Sequence, residues 1–189
     1  MKALWEHVLP AALDLACDSE PVAQQLFEPL LLQTVRWFTR ANPSLWDASV
    51  LLDSLFDGLC HPTNAALRDF SARCLQEYYT WVIKHSEKKL PEGVRVLLKR
   101  IYNCALHPSA HIRRGAAQAV NAIYRKLREN EDVVDAFIIE MTVTMMLSLR
   151  RAHRDDPGLG TAKVTALSLS HILRILSKFV SYTIIYNHM

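Results

Sequence analysis

Two stretches decide the fold: LCHPTNAALRDFSARCLQEYY at 59–79 and ALHPSAHIRRGAAQAVNAIYRKLREN at 105–130. Their His-Pro pairs, His61-Pro62 and His107-Pro108, stand 46 residues apart. Each is followed by an aliphatic-Arg pair, Leu67-Arg68 and Ile112-Arg113, 45 apart. Ala72 with Ala117, Leu75 with Val120 and Tyr79 with Tyr124 keep that offset. One residue of slack in the loop reconciles the two spacings.

A period of about 40–47 residues belongs to the HEAT and armadillo class of helical repeats. The spacing inside each unit agrees. Ile112, Ala116, Ala119, Ile123 and Leu127 form one apolar stripe, and Arg114, Gln118, Asn121, Arg125 and Arg128 form the opposite, wet one. Leu67, Phe70, Cys74, Tyr78 and Trp81 repeat the apolar stripe in the earlier unit. Period-2 alternation is nearly absent. The fold class is therefore all-α, an α-solenoid of about four HEAT-like helical hairpins over 3–178, with helix pairs at about 3–40, 45–85, 92–128 and 131–178.

Local signals set the breaks. Asp18 or Ser19 caps the second helix, with Pro21 near its first turn. Pro10 and Pro29 fall inside helical stretches and predict kinks or breaks. KHSEKKLPEG (84–93) and RDDPGLG (154–160) are loops. One hairpin has apolar residues on two sides and cannot bury both, so neighbours must stack on it. Trp37, Trp46, Phe70, Trp81 and Tyr124 are the expected aromatic core. The first helix and the last residues, FVSYTIIYNHM (179–189), carry apolar faces without a polar cap, so both ends are expected to continue a longer array.

Composition narrows the class. Gly and Pro together make 13 of 189 residues, low for a turn-rich β protein or a disordered chain. Apolar runs are too short for a membrane span. The first residues, MKALWEHVLPAALDLAC, imitate a secretory signal, but Glu6, His7 and Asp14 interrupt its apolar core. A cytosolic or nuclear location follows, with Cys17, Cys60, Cys74 and Cys104 as reduced core thiols.

Charge is uneven. Residues 1–66 hold 3 Lys+Arg against 8 Asp+Glu, residues 67–130 hold 13 against 5, and residues 131–189 hold 6 against 6. The basic block offers Lys88, Lys89, Arg95, Lys99, Arg114, Arg125, Lys126 and Arg128 as a candidate surface for an acidic partner or a phosphate backbone. The plainer reading is a solvated face, with Arg68 and Arg113 held in hydrogen bonds between repeats.

Chemistry motifs do not survive their context. His153-Arg154-Asp155 imitates a kinase catalytic loop, but the metal-binding Asn needed five residues on is Gly160. Cys60-His61 and Cys104-x-x-His107 contain zinc-ligand types. Equivalent points of two stacked hairpins lie roughly 10 Å apart, too far for bonds of about 2.0–2.3 Å to one ion. No catalytic residue, cofactor, metal or small-molecule substrate is assigned, and the chain is read as non-enzymatic.

HVLPAALDLACDSEPVAQQLFEPLLLQTVRWFT (7–39), LRDFSARCLQEYYTWVIK (67–84), ALHPSAHIRRGAAQAVNAIYRKLRENEDVVDAFIIE (105–140) and SLRRAHRDDPGLGT (148–161) are similar to the N-terminal helical-repeat region of a phosphatidylinositol-3-kinase-related kinase, in order over about 3–178. The tail 179–189 departs from that family, which carries a Lys-rich stretch there. The resemblance implies a fragment of a very large nuclear serine/threonine kinase that acts with the Ku heterodimer at DNA ends in non-homologous end joining. Neighbouring repeats of the same polypeptide are its implied partners. None of the family's ATP or metal residues has a position here. Another HEAT scaffold, and an independent nucleic-acid-binding module using 67–130, are the alternatives.

Overall fold

The computed structural model describes the backbone of residues 2–40 and 45–186, and the side chains of 3–39 and 48–178. All regular structure among these residues is helical: α1 Lys2–Ala16, α2 Pro21–Arg40, α3 Leu45–Leu59, α4 Ala65–His85, α5 Glu92–Ala105, α6 Ala110–Leu127, α7 Glu131–Ala152 and α8 Thr161–Tyr186, with a 3-10 turn, Pro157–Leu159, before α8. The fold is all-α and built from helical hairpins, as the repeat pattern predicts.

Polar side chains start the helices where the sequence changes period. Asn64 Oδ1 accepts from Leu67 N at 3.0 Å, and Asn130 Oδ1 accepts from Val133 N at 3.3 Å. Asp18 Oδ1 accepts from Glu20 N at 3.0 Å, and Pro21 opens α2. Gly160, at φ 66°, closes the 3-10 turn in the left-handed region that a side chain disfavours. Of the kinks or breaks expected at Pro10 and Pro29, the breaks do not occur: α1 and α2 run through both prolines. Each proline removes a single backbone donor, while buried Leu9 and Leu13 flank Pro10 and buried Leu31 and Val35 follow Pro29. α8 passes its expected end at 178 and continues to Tyr186. Side chains of the tail 179–189 lie outside the described residues, as does Trp46.

The chain divides into two compact units, residues 1–100 and 101–189, the division falling within α5. In the first unit α1 packs on α2, and α3 on α4, completing two hairpins; α1 also packs on α3, and α2 on α4. First helix therefore meets first helix, and second meets second. In the second unit α8 packs on both α6 and α7, and α6 also touches α7.

Burial follows position in the stack. α2 buries one line of side chains, Leu31, Val35 and Phe38. α4 buries two, with Ser71, Leu75 and Tyr79 on one line and Leu67, Phe70, Cys74 and Tyr78 on the other. Each such large apolar side chain contributes about 1.5–3 kcal/mol. Trp37 departs from its expected core role, at 53% exposed. Its ring meets those of Trp5 in α1 and Phe38, at centroid distances of 6.1 and 5.2 Å. Trp81 and Tyr124 are half-buried, and Phe70 is buried.

Gly58 of α3 lies against Ser71 of α4. A Cβ there would clash with Ser71 Oγ and meet Ser71 Cβ at 3.2 Å. Helix propensity alone would favour Ala at this position by about 1 kcal/mol. We expect Gly58→Ala instead to destabilise by about 1–3 kcal/mol in urea unfolding, through overpacking. Adding Ser71→Ala removes the nearer clash and recovers part of the loss.

Candidate functional site: a basic surface and the seams beside it

The wet stripe assigned to α6 is the first surprise. Residues 113–117 are all buried, and the polar positions 118 and 121 are half-buried. α8 lies over them. Arg114, named from sequence as a surface residue, is 8% exposed, and its guanidinium donates to Leu159 O at 3.5 Å. It is therefore not part of an open surface. Asn121 Nδ2 donates to Val164 O at 3.5 Å, and Ser168 Oγ donates to Ala117 O at 2.8 Å. His171 Nδ1 lies 3.2 Å from Asn121 Oδ1, and its ring stacks on Tyr124 at 4.0 Å and 9°. A helix between neighbours must bury its polar side too, so these side chains serve as cross-helix partners.

The remaining basic residues differ in use. Arg95 Nε lies 3.9 Å from Glu92, and Lys126 Nζ lies 3.0 Å from Glu129. Arg128 sits over the Tyr124 ring at 5.8 Å. Lys88, Lys89, Lys99 and Arg125 are exposed. Lys88, Lys89, Arg95 and Lys99 belong to the first unit; Arg125, Lys126 and Arg128 belong to the second, at the end of α6.

Arginines outside that set do more specific work. Arg36 Nε donates to Glu77 Oε1 at 2.6 Å, and Trp81 Nε1 donates to the same oxygen at 2.8 Å. Burial alone would raise the Glu77 carboxyl; the two hydrogen bonds outweigh it and hold the group below its ordinary value. Arg73 pairs with Glu28, and Arg100 with Asp53, again joining helices of the first unit. These pairs are substantially exposed, so each is worth at most about 1 kcal/mol.

Arg113 makes the bond between repeats expected from the sequence, whereas Arg68 bonds within its own hairpin. Arg68 Nη1 donates to His61 O at 3.0 Å and Pro62 O at 3.3 Å. Arg113 Nη1 donates to His107 O at 2.7 Å and to Pro108 O. Both hold the His-Pro loop of their own hairpin, where carbonyls at a helix end lack partners. Between repeats Arg113 alone of the two reaches further: its Nη2 pairs with Asp155. With exposures of 4% and 12%, this pair is nearly dry. Asp155, the aspartate of the kinase-like triplet, is thus a packing residue. His153 stands 46 residues after His107, and extending the repeat once more would have pointed to its loop as Arg113's partner.

The two histidines weighed as zinc ligands are turned to the backbone. His61 Nδ1 accepts from Asn64 N at 2.9 Å, and His107 Nδ1 accepts from Ser109 N at 3.0 Å. Among the described residues no three His, Cys, Asp or Glu side chains converge as for a metal ion. No disulfide joins Cys17, Cys60, Cys74 and Cys104; Cys74 is buried as expected of a core thiol, and the other three are half-buried. Burial pushes Cys17 up to about 11 and Cys74 up to about 12, so both are protonated and unreactive at neutral pH. No described helix is long and apolar enough to cross a membrane.

Comparison with known proteins points one way. The profile of the family described as "DNA-dependent protein kinase catalytic subunit, CC1/2" matches residues 1–184. The chain is 40% identical over 183 residues to the mouse DNA-dependent protein kinase catalytic subunit, covering 94% of this chain and 4% of that protein. Similar values hold for the chicken protein, at 38% over 181 residues, with 93% and 4% covered. The protein of the same name from Dictyostelium discoideum is 38% identical over 152 residues, with 78% and 4% covered. The chain spans about 4% of the length of these relatives.

Two outcomes test the seams. Arg113→Ala and Asp155→Ala each strand a buried charge, and each should cost about 3 kcal/mol in chemical denaturation. Arg125→Glu, at an exposed site, should stay within about 0.5 kcal/mol. His171 gives a pH signature. Burial chiefly, and Arg174 secondarily, hold its imidazole below the ordinary value. The unfolded chain then binds the proton first, so stability is full above about pH 6.5 and falls as pH drops toward the folded value. His171→Phe keeps a ring against Tyr124 and should flatten that slope in urea midpoints measured between pH 5 and 7.5.

Proposed function

The chain belongs to the family of DNA-dependent protein kinase catalytic subunits, and on that premise we propose that it is a non-catalytic helical-repeat scaffold segment of such a kinase. The observation that carries this reading is where its polar chemistry goes. Arg113, Asp155, Asn121, Ser168 and Glu77 are engaged in holding helices and loops to one another. Side chains used this way supply shape and surface, and turnover belongs to another part of the polypeptide.

On this reading the chain is one stretch of a HEAT-like array, with pairs at about 3–40, 45–85, 92–128 and 131–178. Its first partners are neighbouring repeats of the same polypeptide. The outer face of α1 and α2, with Leu4 62%, Val22 62%, Leu26 64% and Leu30 52% exposed, suits such a neighbour. The relatives' name ties the kinase to DNA. We place the segment in the nucleus, in a kinase that works with the Ku heterodimer at DNA ends in double-strand break repair by non-homologous end joining. Small shifts at each seam add along a stacked array, so the segment would relay DNA-end engagement mechanically.

A second reading uses exposed Lys88, Lys89, Lys99 and Arg125 as a direct DNA surface. Salt separates the two, because each phosphate contact steepens the fall of affinity with ionic strength. For the isolated chain we expect weak binding to duplex DNA, with little change between two salt concentrations in filter binding. A steep salt slope that Lys99→Glu with Arg125→Glu abolishes would establish the direct surface instead. In the full-length kinase, Arg113→Ala with Asp155→Ala should spare basal peptide phosphorylation and weaken its stimulation by DNA ends. Undiminished stimulation would remove the relay.

A further inference from the structure

α7 carries a stripe that its own unit leaves uncovered. Asp132, Asp135, Ile139, Val143, Met146 and Arg150 are spaced 3, 4, 4, 3 and 4 residues apart. At 3.6 residues per turn they lie within an arc of about 80°. All six are exposed; Ile139 is 63%, Val143 52% and Met146 55% exposed. The opposite side of the helix is in the core, with Val134, Ile138, Met141, Met145 and Ser148 buried. The order along the stripe is acidic, then apolar, then basic.

Acidic residues near the start of a helix and basic ones near its end complement the helix dipole, which accounts for the polarity of charge. It does not account for three large apolar side chains facing water between them. Three in a row on one helix face mark a contact surface.

The stripe is its own complement when reversed. Laid antiparallel about an axis near Val143, a second α7 brings Asp135 opposite Arg150 and Asp132 opposite the region just past Arg150. Ile139 then faces Met146, and the two Val143 side chains meet beside the axis. The same register satisfies every pair, which is the property of an isologous two-fold contact. A parallel helix of this sequence would instead set acid against acid and base against base.

We infer that α7 is a self-association surface, and that its occupant is the α7 stripe of a second copy of this chain, packed antiparallel. The apolar centre supplies the contact and the end charges fix direction and register. This goes beyond the scaffold reading and does not rest on it. A neighbouring hairpin stacked as α1 stacks on α3 would bring its first helix parallel to α7, and would have to carry the opposite charge order.

The test is the oligomeric state of the full 189-residue chain, by sedimentation equilibrium at low and high salt. The expected result is a reversible dimer that weakens as salt rises. Asp135→Arg and Arg150→Asp should each raise the dissociation constant about tenfold or more, by placing like charges opposite each other. An equimolar mixture of those two variants should recover a heterodimer, and the double variant in one chain should recover the homodimer. Val143→Asp should abolish association while circular dichroism stays unchanged. A monomer at all concentrations overturns the inference, as does a dimer indifferent to these charge reversals. Dissociation without recovery on mixing overturns the antiparallel register.

Discussion

Helices in the interior of a stack must be covered on two sides, and the rest of this structure depends on that constraint. A lone amphipathic helix keeps its polar stripe in water. α4 and α6 do not have that freedom. α4 is apolar enough to be buried along two lines, with Leu75 and Tyr79 on one and Cys74 and Tyr78 on the other. α6 meets the constraint differently. Its polar side chains are turned into hydrogen-bond partners: Arg114 reaches Leu159 in the 3-10 turn, and Asn121 meets Val164, Ser168 and His171 of α8. Left unpaired in such a place, each polar group would cost about 1–3 kcal/mol, so the pairing also fixes which residue faces which.

The loops solve a related problem. A hairpin's turn carries carbonyls freed by one helix ending and backbone donors freed by the next beginning. The His-Pro loops meet both needs with side chains of the repeat itself. The histidine ring accepts from a backbone N–H after it, and an arginine one turn into the following helix donates to the loop carbonyls. Arg113 adds the nearly dry pair with Asp155, which ties one loop to the next. A buried pair of this kind is weak as a source of stability and strong as a condition on register. The first unit ties its helices through exposed pairs such as Arg36 with Glu77, which bias orientation at small energy.

Function follows from what these demands leave over. Of the eight basic residues that the charge distribution singles out, Arg114 is buried, Arg95 and Lys126 face carboxylates on their own helix or turn, and Arg128 rests on Tyr124. The surface that remains is thinner in charge than the composition suggests. Meanwhile α7, drawn from the stretch whose net charge is zero, presents the better-organised surface. There acid and base are separated along one face rather than absent, which a net count conceals.

The all-α class, helix starts and the turns between helices are legible in the chain itself. All of these are written in local spacing: 3.6-residue stripes, a cap at Asp18, and His-Pro pairs 46 residues apart. Burial was legible wherever one face of a helix sufficed to set it, as at Cys74, Ile123 and Leu127. Tertiary structure alone decided the rest. Whether a polar stripe is wet depends on which helix lies over it, so Arg114 and Asn121 looked like surface until α8 covered them. Whether Trp37 is core depends on which side of α2 has a neighbour. The partner of Arg113 lies 42 residues away, a distance over which periodicity names candidates but not contacts. Spacing along the chain records what each helix can bury; packing decides what it does bury.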